Sequence, residues 1–184
     1  EKAFMNAARV MKETNCNGIK LEGGQKMSKT IEHLTKSSIP VMGHIGLQPQ
    51  SVLIDGGYKV RGKVESEWQR YIDDAIAVEE AGAFSVVLEG MAAPLAAEIT
   101  SILNIPTIGI GASPSCDGQI LVTEDILGLS NVAPKFVKKY ADLDDAIKIA
   151  VNKYAAEVKN RTFPSSEHVY HMLPRIVSNN DKDK

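Results

Sequence analysis

Short apolar runs recur along the chain, at 18–24, 39–47, 84–90, 105–112 and 119–123, each stopped by glycine or a polar residue. Their spacing constrains the fold more than any other feature. Runs that begin at 18 and 39, and again at 84 and 105, lie about 21 residues apart, which holds one strand, one helix and two short loops. The intervening segments have helical faces: Met27, Ile31 and Leu34 within 25–38, and Leu95, Ala96, Ile99, Ile102 and Leu103 within 92–104. Residues 85–88 and 105–110 are continuously apolar rather than alternating, as strands covered on both faces are. The pattern predicts parallel βα units.

Residues 3–14 put Ala3, Phe4, Ala7, Ala8, Val10 and Met11 at helical spacing, with no capping residue ahead of them and Gly18 beyond their end. The connection 48–64 is long and holds Pro49, Gly56, Gly57, Tyr58 and Gly62, so an ordered, functional loop is expected. Helices are predicted over 65–81 and 142–159, the second capped by Asp142 or by Leu143-Asp144, with an irregular stretch at 124–141 between the fifth strand and that helix. From Arg161 the chain is polar and broken by Pro164 and Pro174, and its composition predicts disorder at 178–184.

Composition narrows the function classes. Acids outnumber bases 23 to 21, which argues against a nucleic-acid binder. No apolar run nears the ~18 residues of a membrane span. The opening Glu1, Lys2, Ala3 is unlike a signal peptide. Cys16 and Cys116 are too few for a disulfide framework or structural zinc, so a cytoplasmic setting is expected. Neither has a His or Lys beside it to make a reactive thiol. His168 and His171 lack partners at metal spacing, and Glu79-Glu80 reads as a solvated helix face.

In parallel α/β folds, reactive groups gather where strands end. Lys20 and Glu22 are two apart on a strand and point to one face. They make either an ion pair at a solvated strand edge or a metal or substrate-anion site, since an unpaired buried charge is costly. His44 closes an apolar strand between glycines, as a structural or a site histidine. Glu89 ends the apolar run 85–88, suited to a general base or acid, or else to pairing with a neighbouring lysine. Ile108-Gly-Ile-Gly-Ala112 permits close backbone approach to a ligand but lacks the spacing of a dinucleotide fingerprint. Asp117-Gly118 reads as a turn.

Together these segments resemble the ketopantoate hydroxymethyltransferase family (3-methyl-2-oxobutanoate hydroxymethyltransferase). The resemblance rests on Ile19-Lys-Leu-Glu-Gly-Gly24, Pro40-Val-Met-Gly-His-Ile-Gly-Leu-Gln-Pro-Gln-Ser51, Gly56-Gly-Tyr-Lys-Val-Arg-Gly62, Leu88-Glu89, Ile105-Pro-Thr-Ile-Gly-Ile-Gly-Ala112, Asp117-Gly-Gln-Ile-Leu-Val122 and Pro134-Lys-Phe136. They stand in family order and cover about residues 1–171. The departure is Ala112-Ser-Pro-Ser, where glycine commonly follows the alanine.

The resemblance implies a (β/α)8 TIM barrel of the phosphoenolpyruvate/pyruvate type. About five of its eight units, the fourth to the eighth, would occupy residues 1–160, with a C-terminal extension over 161–184. A complete barrel takes roughly 200–250 residues. Three earlier units, carrying two Asp metal ligands and a Ser, are expected ahead of residue 1. The implied reaction transfers a hydroxymethyl group from 5,10-methylenetetrahydrofolate to 3-methyl-2-oxobutanoate, giving 2-dehydropantoate for pantothenate biosynthesis. It implies a divalent metal, Mg²⁺, with Glu22 as a ligand. It implies Lys20 on the substrate carboxylate or oxo group, His44 lining the pocket and Glu89 as the base at C3. It points to no folate-binding residue. A homo-oligomer, a decamer, is the implied assembly.

General chemistry agrees. Enolising a 2-oxo acid needs a cation at the carbonyl oxygen and a base near the C3 proton. Two other readings remain at this point: a 2-oxo acid lyase or mutase on the same barrel, and a non-catalytic chain that needs partner chains because its parallel edges are open.

Overall fold

The structure, a computed structural model, describes residues 1–54 and 56–172. Five parallel strands form one sheet in chain order: β1 (Ile19–Glu22), β2 (Val41–Gly46), β3 (Ser85–Glu89), β4 (Thr107–Ile110) and β5 (Gly118–Gln119). Every strand pairs with the one before it. A doubly wound sheet would reverse its direction at a switch point. The sequential parallel order is that of a barrel wall, consistent with a partial (β/α)8 barrel, with β1 and β5 as edges among the described residues.

The helices α1 (Lys2–Glu13), α2 (Ser28–Lys36), α3 (Trp68–Glu80) and α4 (Ala93–Ile102) cover one face of the sheet. Register explains which residues they cover. Val41, Ile45, Val86 and Leu88 share that face and pack with Ile31, Leu34, Val78, Leu95 and Ile99 in one core cluster. Gly43 lies on the same face directly under α3, where an added Cβ would stand 2.3 Å from the Val78 side chain. The opposite face carries Lys20, Glu22, Met42, His44, Val87, Glu89, Ile108 and Ile110.

Several expectations shift in detail. The predicted helices over 25–38 and 65–81 each open with a 3-10 turn, Gln25–Met27 and Glu65–Glu67. In α4, Leu95, Ala96 and Ile99 are buried, while Ile102 stays half-exposed. The fifth strand is shorter than expected and begins one residue earlier. Gly118 and Gln119 pair with Ile108 and Gly109, and by Thr123 the chain has entered a short helix, α5 (Thr123–Ile126). That helix lies at the start of the stretch expected to be irregular. Glu124 and Asp125 fall in its first turn, where negative charge is favoured.

Helix α6 (Leu143–Lys159) matches the predicted 142–159. Asp142 holds the N-cap position but makes no side-chain capping bond, and Asp144 and Asp145 supply acid to the first turn. Glu79 corrects the solvated-face expectation. Its Oε1 accepts the backbone N–H groups of Asn104 (2.6 Å) and Ile105 (3.0 Å), tying α3 to the turn that feeds β4. No described helix is long and apolar enough to cross a membrane. Pro174 and the 178–184 tail lie outside the described residues.

Candidate active site

Four side chains named from the sequence meet at the ends of β1, β2 and β3. The pairing of Glu22 with His44, and of Gly46 with Glu89, sets their heights along the sheet. Period-two alternation puts all four on the face away from the helices. Lys20 Nζ lies 3.0 Å from His44 Nδ1 and 3.5 Å from Glu22 Oε1. Glu22 Oε1 is 3.8 Å from the same imidazole nitrogen. On the far side, His44 Nε2 lies 3.1 Å from Glu89 Oε2. His44 thus stands between the lysine and the carboxylate expected to act as base.

Burial is graded across the cluster. The His44 side chain is 2% exposed, Glu22 9% and Glu89 18%, while Lys20 on the edge strand is 44% exposed. The ion pair at a strand edge, one of the two readings of Lys20 and Glu22, is present, and it also joins the wider cluster. The neighbour that meets Glu89 is a histidine rather than a lysine.

Loop geometry holds these groups in place. Gly46 ends β2 at φ +95°, a left-handed conformation that glycine adopts at no steric cost, and an added Cβ would lie 2.3 Å from the Glu89 carbonyl oxygen. The next residue, Leu47, donates its N–H to that same oxygen at 2.7 Å. The backbone N–H of Gln50 donates to Glu22 Oε2 at 3.2 Å. The long loop then returns to the site: Arg61 bridges to Met91, and its N–H donates to the Gly90 carbonyl at 2.8 Å. The Trp68 indole N–H donates to the Gly62 carbonyl. Loop 48–64 is therefore tied at both ends, while Leu53, Ile54 and Tyr58 face solvent.

A cavity of about 620 Å³ opens beside the cluster, lined in part by Glu22, Gly46, Gln48, Arg70 and Tyr71. Of the four strand-end residues it touches only Glu22. Burial pushes the Tyr71 phenol up from its ordinary range, so it stands in the wall as a neutral hydroxyl. Asp74 also lines this cavity and accepts the Gln25 N–H at 2.8 Å, fixing the turn after β1. Sequence reasoning missed Asp74 and the Gln50 amide. An acid in a helix's second turn looks like any solvated acid, and a backbone donor leaves no mark on residue type.

Asp117, expected as a turn residue, accepts both the backbone N–H (2.8 Å) and the hydroxyl (3.1 Å) of Thr107. The backbone bond, then the hydroxyl bond, hold its carboxyl below the usual carboxylate range. It closes the β4–β5 connection and stands apart from the cluster. Cys116 is buried beside Thr100, and Cys16 is half-buried against Met11. The His168 ring lies tilted against Phe163, and its Nδ1 meets the Ser165 hydroxyl.

Among the described residues, no three His, Cys, Asp or Glu side chains come close enough to share a metal ion. Glu22 brings one hard carboxylate to the strand ends. Mg²⁺ keeps much of its water and is commonly bound through one or two carboxylates, whereas structural zinc needs a closed nitrogen and sulfur set. The Glu22 carboxylate is an oxygen donor of the kind Mg²⁺ takes among waters and substrate oxygens.

The fold and site define a parallel barrel-type chain with its charged groups at the carboxyl ends of the strands, the usual place for chemistry in such folds. The family model for ketopantoate hydroxymethyltransferase matches residues 1–166. Two relatives named 3-methyl-2-oxobutanoate hydroxymethyltransferase align with nearly all of the chain. The one from Bartonella tribocorum (strain CIP 105476 / IBS 506) is 54% identical over 170 residues, covering 92% of this chain and 63% of the relative. The one from Parvibaculum lavamentivorans (strain DS-1 / DSM 13023 / NCIMB 13966) is 58% identical over 172 residues, covering 94% and 63%. The chain belongs to the ketopantoate hydroxymethyltransferase family, and it spans about 63% of the length of these curated relatives.

Proposed function

We propose that the protein to which this chain belongs transfers a hydroxymethyl group from 5,10-methylenetetrahydrofolate to 3-methyl-2-oxobutanoate, giving 2-dehydropantoate for pantothenate biosynthesis. The observation that carries this reading is the meeting of Lys20, Glu22, His44 and Glu89 at adjacent strand ends. Family membership supports the reaction class.

In this reading Glu89 removes the C3 proton of the oxo acid. The proton is acidic because the 2-oxo group can delocalise the resulting charge as an enolate. Lys20 holds the carboxylate or oxo group and sets a fixed positive charge where negative charge develops. His44 lines the pocket between them. Glu22 would hold Mg²⁺ through a carboxylate oxygen, directly or through water. A bound Mg²⁺ supplies Lewis acidity at the 2-oxo group. Water adds to the opened methylene bridge of the folate, both C–N bonds to that carbon break, and tetrahydrofolate leaves with formaldehyde set free in the pocket. The enolate carbon then adds to the formaldehyde carbon, and the formaldehyde oxygen takes up a proton to become the new hydroxyl.

The same reading takes residues 1–160 as the fourth to eighth units of one barrel domain and 161–184 as a C-terminal extension. It takes the assembly as a homo-oligomer, a decamer, and the setting as cytoplasmic.

The test is turnover by the full-length gene product supplied with 3-methyl-2-oxobutanoate, 5,10-methylenetetrahydrofolate and Mg²⁺. Formation of 2-dehydropantoate is expected. Absence of product, with folded protein and both substrates present, would overturn the assignment.

A further inference from the structure

We propose that His44 is a positioning residue for the base. The Lys20 ammonium locks it as the neutral Nε2–H tautomer, and it presents that N–H to Glu89 Oε2. This fixes one carboxylate oxygen and leaves the other to take the substrate proton. The inference rests on the reading of Glu89 as base and adds a role for the residue between Glu89 and Lys20.

An ammonium has three donors and no acceptor. At 3.0 Å from Lys20 Nζ, His44 Nδ1 must therefore accept. A neutral imidazole has one donor and one acceptor nitrogen, so the proton sits on Nε2. A doubly protonated ring would set an Nδ1–H against the ammonium at the same short distance, donor against donor and cation against cation. Glu22 Oε1, 3.5 Å from the same ammonium, balances the lysine charge.

The Nε2 side completes the case. His44 is almost wholly buried, and its Nε2 has no hydrogen bond of good geometry among the described residues. A buried donor left unpaired is costly. Glu89 Oε2 already lies at bonding distance, 3.1 Å, but off-line. Glu89, at 18% exposure against 2% for the ring, is the freer of the two side chains, and its Oε2 is the acceptor within reach of the Nε2–H. The ring is packed on all sides, and its Nδ1 is engaged by Lys20.

Two readouts test this on the full-length gene product. The first is long-range ¹H–¹⁵N NMR of ¹⁵N-histidine-labelled protein near neutral pH, with the His44 signals identified by their loss in His44→Gln. The expected pattern is a protonated Nε2 and a bare Nδ1. An Nδ1–H tautomer, or a doubly protonated ring, would overturn the proposal.

The second readout is kinetic. A glutamine amide reaches the ε position, whereas an asparagine amide reaches only the δ position. His44→Ala and His44→Asn should lower kcat by about 10–100-fold, the usual range for an orienting partner, with KM for the oxo acid nearly unchanged. His44→Gln should recover most of that loss. Recovery by Asn and not by Gln, or an effect confined to KM, would contradict the proposal. If His44→Gln fails to fold, the wild-type signals are assigned instead by substituting the other histidines of the gene product, among them His33, His168 and His171, one at a time, and the pattern that remains decides. A wild type without turnover would sink the proposed function while leaving the tautomer result standing.

Discussion

Helices α3 and α6 are both amphipathic segments expected from the sequence, yet the structure uses them differently. Helix α3 buries Tyr71, Ile72, Ala75 and Val78 against the sheet and its neighbours. Helix α6 is longer, and none of its residues is buried; Ile147, Ile149, Val151 and Tyr154 are all largely exposed. Strand length accounts for part of the contrast. Strands β2 and β3, beneath α3, have six and five residues, whereas β5, ahead of α6, has two. A helix's apolar pattern is written in its own sequence, but its burial depends on the surface offered by other elements. The candidate site follows the same division. Lys20, Glu22, His44 and Glu89 stand on β1 to β3, within the packed region.

The sharpest way to break this comparison is to cut into the packed side. Leu88 is fully buried in the middle of the sheet, and Leu88→Ala should cost about 2–5 kcal/mol of unfolding free energy in urea titrations. A cost near zero would mean that the core does not bear on β3. Gly43→Ala tests the close approach of α3. The new methyl would press on Val78, with an expected loss of about 1–3 kcal/mol and a displaced Val78 methyl signal by NMR.

Asp117 probes the β4–β5 connection through pH. Its folded pKa is depressed by the Thr107 bonds, so its contribution is present above the unfolded carboxylate range. That contribution is lost as pH falls through the lowered folded value. The difference in unfolding midpoint between wild type and Asp117→Asn should be greatest near neutrality and shrink in acid. A difference that persists unchanged in acid would remove Asp117 titration as its source. On α6, Ile149→Ala should change stability by less than about 0.5 kcal/mol. A loss comparable to that of Leu88→Ala would show that α6 is docked.

Much of the fold was legible because spacing carries it. Strand-helix-strand intervals of near-constant length and apolar strands mark parallel units, and the structure has them between β1 and β2 and between β3 and β4. The end of β4 onward was harder. Gly118 and Gln119 pair by backbone register, and side-chain type does not announce a two-residue strand. The site was legible at the same level. Lys20, Glu22, His44 and Glu89 stand out as polar groups ending apolar runs. Their order in space, with His44 between Lys20 and Glu89, comes from the register of β1 to β3, which no single segment encodes. Glu79 and Asp74 read as ordinary helical acids because their partners are backbone amides distant in sequence.

The proposed reaction turns on Glu89 taking the proton from C3. Exchange of that hydrogen for deuterium reports the step without the folate. The full-length gene product is incubated with 3-methyl-2-oxobutanoate and Mg²⁺ in D₂O, and the C3 proton signal is followed by NMR. Wild type should exchange it. Glu89→Gln, with unchanged circular dichroism and oxo-acid binding, should do so about 10²–10⁴-fold more slowly. Exchange by Glu89→Gln at the wild-type rate would contradict the account.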